Sequence, residues 1–200
     1  MAYGLSAVCG FFRDGMPNRA FVSVMASCLM LAALAGCDNQ RIAELEEGVA
    51  TEADVRARFG EPEKIWASED MASLPLEGSG AAAKVRGART FEYSRQPEGR
   101  ANYMITLGPD GKMTALRQVL TPQVFARIQP GQSMEQVRKL LGRPAKVTPY
   151  ALKKQTEYDW RYLEGSTREK VFTVVFDQDL RVVSSGSIDA ESLYPSGGQR

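Results

Sequence analysis

The chain reads as an α+β protein made of two tandem units, each a helix–helix pair followed by a three-stranded antiparallel sheet. Three observations predict this: a helix motif that occurs twice, a turn-punctuated set of strands after each occurrence, and helix-stop signals at matching places. The first motif is Gly48-Val-Ala-Thr51-Glu-Ala-Asp54-Val55-Arg-Ala-Arg-Phe59-Gly60-Glu-Pro62. The second is Gly131-Gln-Ser133-Met-Glu-Gln136-Val137-Arg-Lys-Leu-Leu141-Gly142-Arg-Pro144, one residue shorter near its start. A repeated supersecondary pattern of this kind is read before any single element.

Each motif specifies a helix. Thr51 with Asp54, and Ser133 with Gln136, place a hydroxyl at the N-cap and an acceptor three residues on, the two halves of a capping box. Val55 and Phe59 lie four apart on one helical face, as do Val137 and Leu141. Gly60 and Gly142 suit a positive-φ stop, and Pro62 and Pro144 prevent continuation. A shorter helix is expected before each: Asn39 capping Ile42–Glu47, and Thr121-Pro122 opening Val124–Ile128.

The strands follow. In the first unit they are Thr90–Tyr93, Asn102–Leu107 and Met113–Leu120, with a Gly108-Pro109-Asp110-Gly111 turn before the last. In the second they are Thr156–Tyr162, Lys170–Asp177 and Arg181–Ile188. The continuous apolar run Val171–Phe176 fits a central strand buried on both faces. Tyr158, Trp160 and Tyr162 alternate along one strand and make one face aromatic, as for a sheet packed under helices. Residues 67–88, rich in Ala, Gly and Ser, are expected to be a flexible loop.

The N-terminus does not read as fold. Met16-Pro17-Asn18-Arg19 is a short basic start, Ala20–Leu34 is almost wholly apolar, and Leu34-Ala35-Gly36-Cys37 ends in small residues. This is the order of a signal peptide, complete from Met16. Its apolar run is short for a membrane span. The organisation expected is therefore a lipoprotein signal peptide over residues 1–36, a first unit over 37–121, a second over 122–190, and a disordered tail over 191–200.

Composition narrows the function. With 25 Lys+Arg against 24 Asp+Glu the net charge is +1, so no electrostatic footprint points to nucleic acid. Histidine is absent from the sequence, which removes the commonest general base and metal ligand. Cys9 and Cys28 precede Cys37, so a chain processed before Cys37 has no cysteine pair. No phosphate loop, dinucleotide fingerprint or nucleophile elbow is present. Glu44, Glu46 and Glu47 read as a solvated face, and Asp177 and Asp179 as hairpin-turn residues. No enzymatic activity and no cofactor are expected.

Two resemblances follow from these residues. Leu34-Ala35-Gly36-Cys37 resembles the bacterial lipobox, which implies cleavage before Cys37 and acylation of that residue. Several acyl chains anchor a protein stably where one does not. Both helix motifs, with their Gly-(x)-(Ser/Thr) entry and Leu/Phe-Gly-x-Pro exit, resemble the SmpA/OmlA, or BamE-like, domain. So does Phe91-Glu-Tyr93-Ser-Arg95-Gln-Pro97-Glu-Gly99, where the family has an aromatic stretch and an Arg-Gln-Pro-Gly element.

The resemblance implies a non-enzymatic envelope lipoprotein that resembles an outer-membrane assembly factor and binds envelope proteins, with the membrane reached through the lipid anchor. It places Phe91 and Arg95 at the family's positions for contacting anionic lipid and a neighbouring lipoprotein. It also implies the periplasmic face of the outer membrane. Asp38 beside Cys37 resembles an inner-membrane retention signal and points the other way. The extended Tyr-Arg-Pro-Asp segment that precedes the family's first helix is missing here. A tandem pair of such units also resembles the secreted beta-lactamase inhibitor protein, so the alternative is an inhibitor or binding module for a periplasmic enzyme.

Overall fold

The computed structural model describes residue 42 and residues 44–193 other than 77 and 166. The expected signal segment, Cys37, Asp38 and the tail beyond 193 lie outside the described residues. From Glu44 onward the chain forms one compact unit.

Both repeated helices form as their caps dictate: α1, Glu52–Phe59, and a later helix, Met134–Leu141. In each the N-cap backbone N–H donates to the carboxylate or amide oxygen three residues on, at 2.9 Å for both Thr51–Asp54 and Ser133–Gln136. Gly60 and Gly142 close them with φ of +82° and +74°, a region in which a β-carbon is strained.

After α1 come β1 (Lys64–Ala67), the one-turn helix α2 (Ser68–Met71), a 3₁₀ segment (Gly78–Lys84), β2 (Arg89–Ser94), β3 (Asn102–Leu107) and β4 (Met113–Gln118). The second half runs α3 (Pro122–Phe125), α4 (Met134–Leu141), β5 (Lys146–Tyr150), a 3₁₀ turn (Ala151–Lys153), β6 (Gln155–Glu164), β7 (Arg168–Phe176), β8 (Val182–Asp189) and α5 (Ala190–Leu193). The strands make two antiparallel meanders, β1-β2-β3-β4 and β5-β6-β7-β8. The α+β class holds, but each sheet has four strands, not three. The extra strand directly follows each repeated helix. β1 is only four residues long, and β5 contains Pro149, which is tolerated because β5 is an edge.

Two further expectations are corrected. Ile42–Glu47 is not a continuous helix, since Glu44–Val49 is turn and irregular chain. It is drawn out along β4 instead: Gly48 N–H donates to Met113 O at 2.7 Å, and Leu116 N–H to the Glu47 carboxylate at 3.1 Å. Residues 67–88 are not a structureless loop. They hold α2 and a 3₁₀ segment, and bury Met71, Leu74, Leu76 and Ala83 in the main core. Burial of four apolar side chains is what orders a segment whose composition looks loop-like.

The layering explains the burial. Phe59 of α1 meets Tyr93 and Tyr103 at ring-centroid distances of 5.0 and 5.3 Å on one face of the first sheet. Trp66 and Met104, from the first sheet, join a core with Val137, Leu140 and Leu141 of α4. That core continues into Trp160, Tyr162, Phe172, Val174 and Phe176 of the second sheet. The first sheet is thus covered on both faces, and Thr90-Phe91-Glu92-Tyr93 is buried without a break. The second sheet is covered on one.

Candidate protein-binding surface

Phe91 and Arg95 do not form an exposed contact patch. Phe91 is 0 % exposed and belongs to the core, a correction to its expected place on a partner surface. The Arg56 and Arg89 guanidinium groups lie over its ring, 5.0 and 5.8 Å from the centroid. Both arginines are tied to Glu52, at 2.9 and 2.7 Å, and Arg56 also bonds Glu61. The Arg89 hydrogen bond, with Arg56 adding to it, holds the Glu52 carboxyl below its usual range. Beside Phe91, burial pushes the Tyr93 hydroxyl up to about 12, and it donates to Gly60 O at 3.0 Å.

Arg95 is half-buried, with its guanidinium 5.6 Å from the Phe59 centroid. The element it opens is turned inward onto the second sheet. The Gln96 amide donates to Arg161 O at 2.8 Å and accepts from Arg161 N–H at 3.2 Å. Arg161 also donates to Pro97 O at 3.3 Å, and Arg100 pairs with Glu169 at 2.8 Å. The Arg-Gln-Pro-Glu-Gly element is therefore a clamp between the two sheets. Sequence alone does not reveal this, because the partner, Arg161, lies 65 residues away.

Trp66 and Trp160 are 2 % and 1 % exposed. The Trp66 indole N–H donates to the Glu92 carboxylate at 3.1 Å and that of Trp160 to Gly142 O at 3.0 Å. The Asp177 carboxylate accepts from Asp179 and Arg181 N–H, both at 2.9 Å, which is the hairpin-turn role expected of it. Among the described residues no cluster of three or more His, Cys, Asp or Glu side chains could hold a metal, and no helix is long and apolar enough to cross a membrane.

The second sheet leaves one face uncovered. Register places three cross-strand rows on it: Lys146–Asp159–Thr173–Gly186, Thr148–Glu157–Val175–Ser184, and Arg161–Val171–Ile188. Together with α5 they border a shallow depression of about 1250 Å³. A smaller cleft of about 670 Å³ opens at the β5 edge, between Arg138, Arg143 and Lys146 and the rings of Tyr158 and Trp160. Alternation in β6 is the sequence signal for the open face; the run Val171–Phe176, expected to be buried on both faces, is covered on one only, with Thr173 and Val175 half-buried on the open side, and the unrecognised β5 hides the outer row.

Comparison with known proteins places this half of the molecule. Residues 118–186 match the model of the outer membrane protein assembly factor BamE domain. That segment is α3, α4 and almost the whole second sheet. The first repeat lies outside the match. A solved structure titled as a putative osmotically inducible lipoprotein, OsmE, is 20 % identical over 38 % of this chain and 86 % of its own, with a TM-score of 0.31. A DUF4309 family protein, YjgB, from Bacillus subtilis is 19 % identical over 73 % of this chain and 82 % of its own, with a TM-score of 0.24. No curated protein matches the chain.

Proposed function

We propose that the protein is a lipid-anchored envelope scaffold, held to the membrane by acylated Cys37 and binding other envelope proteins through the open face of its second sheet without catalysing a reaction. The observation that carries this reading is the match of residues 118–186 to the BamE domain, over a sheet that leaves one face free. The polar and apolar rows of that face suit a protein partner better than a small molecule, which takes a deeper, more enclosed site. The outer membrane, periplasmic side, is the location that fits the domain. In this reading the repeats divide at 121/122, with the first bracing the second through the Gln96 clamp.

The test is a pull-down from detergent-solubilised membranes with wild type and Gly186→Arg. A β-carbon at Gly186 meets nothing within 4 Å, so the variant keeps the fold and places a long cation on the face. Envelope assembly proteins should be recovered by wild type and reduced at least about fivefold by the variant, the loss expected when a contact worth about 1 kcal/mol is blocked. Equal recovery by both removes the face from the proposal. Recovery of a single soluble periplasmic enzyme by wild type turns it to the inhibitor reading.

A further inference from the structure

An open sheet has two edges, and each edge strand presents backbone N–H and C=O groups to whatever lies beside it. Three of the four edges in the two sheets are protected. β1 is four residues long and begins with Lys64. β4 is lined by the chain before α1, where Gly48 and Ala50 each bond Met113 at 2.7 Å. β5 carries Lys146 and Pro149, two devices that keep a strand from pairing further. β8 differs. At eight residues it is the longest of the four edge strands. Its edge is covered only at Val182, through bonds with Gly131 and Gln132 at 2.9 Å each.

From Val183 to Asp189 every residue is exposed. Among the described residues the backbone of this run pairs with β7 alone, and α5, which follows it, turns back towards β7. The stretch Val183-Ser184-Ser185-Gly186-Ser187-Ile188 has no charged residue and no proline. Its two apolar side chains, Val183 and Ile188, are each 44 % exposed. A long, exposed, uncharged edge is a template for a further strand.

The order of the residues selects a second copy of the same strand. Ser185 and Ser187 stand at equal distances from Gly186, which is also the centre of the open run 183–189. A two-fold axis through Gly186 sets Ser185 of one copy against Ser187 of the other, Ser184 against Ile188, and Val183 against Asp189. Hydroxyl then meets hydroxyl, no like charges oppose, and the glycines on the axis let the backbones approach. We propose that the β8 edges of two copies pair antiparallel about Gly186. The pairing joins two four-stranded sheets into one and sets their open faces side by side. It does not depend on Cys37 or on what the open face binds.

The experiment uses full chains in a neutral detergent, with two different peptide tags mixed in equal amounts and photoreactive p-benzoylphenylalanine in place of Ile188. Illumination should give a cross-linked product that carries both tags. The same group in place of Val147, exposed on the β5 edge, should give at least about fivefold less. Charges then report the register. Ser185→Lys with Ser187→Lys, or Ser185→Glu with Ser187→Glu, opposes like charges and should lower the product at least about fivefold. A mixture of the two double variants opposes Lys to Glu and should recover the product to within about twofold of the parent. That recovery separates loss of pairing from loss of fold. No product with both tags from the Ile188 site, equal yields from the Ile188 and Val147 sites, or a mixture no better than its components overturns the proposal.

Discussion

A carboxylate with no exposed surface has to be met on every side. Glu92 is 0 % exposed and has two partners, the Trp66 indole at 3.1 Å and the Arg138 guanidinium at 3.2 Å through both Nε and Nη2. Arg138 comes from α4 and Glu92 from β2, so the pair links the second repeat's helix to the first repeat's sheet. Such a pair adds little net stability over apolar packing, but removing one member leaves a charge without a partner. Arg138 is itself a third exposed, which lets some water replace it. Arg138→Ala is therefore expected to cost about 2–3 kcal/mol, less than for a fully enclosed pair. Urea denaturation checks it, and Glu92→Gln in the same background should recover part of the loss. A loss below about 0.5 kcal/mol, the usual size of a surface change, would mean that the carboxylate is not held by this partner.

At the scale of elements, the sequence is most legible where local chemistry decides. The caps at Thr51 and Ser133, the stops at Gly60 and Gly142, and the Asp177 turn all form as their residues dictate. What sequence leaves hidden is decided by neighbours distant in the chain. Alternation in Thr90–Tyr93 would turn Glu92 to solvent, yet α4 covers that face. The composition of 67–88 reads as loop, yet its scattered Met and Leu fill the space over the first sheet. The family resemblance gives Phe91 and Arg95 a contact role, yet Arg56 and Arg89 cover the ring of the first, and the element that the second opens lies against the second sheet. The paired glycines test the local part. A β-carbon at Gly60 meets nothing within 4 Å, while at Gly142 it comes within 3.0 Å of the Asn102 amide nitrogen, and both positions hold positive φ. That amide caps α4 by donating to Leu141 O at 2.7 Å and Arg143 O at 2.9 Å. Gly60→Val should cost about 1 kcal/mol from backbone strain alone, and Gly142→Val about 2 kcal/mol or more, because the cap must also move. Thermal melts of the two variants give the comparison, and equal losses would mean that Asn102 adds nothing.

At the scale of the whole molecule, two repeats share one interior. α4 carries the second repeat's cap and helix motif, but its Val137, Leu140 and Leu141 lie in the same cluster as Trp66 and Met104 of the first sheet. A repeat of about 70–80 residues is marginal by itself. Cutting between the repeats would expose that cluster, open the Gln96–Arg161 amide pairing and leave Glu92 without its cation. Residues 37–121 produced alone should therefore show no cooperative melt, although they contain a complete four-stranded sheet and its first helix. Residues 37–193 should unfold in one step, with tryptophan emission and far-ultraviolet circular dichroism giving the same midpoint. Both tryptophans sit in the shared cluster, so emission reports loss of the joint interior while dichroism reports loss of the sheets. Separate midpoints, or a sharp transition from 37–121 alone, would show that the repeats fold as independent domains and that the shared interior is a docking contact between them.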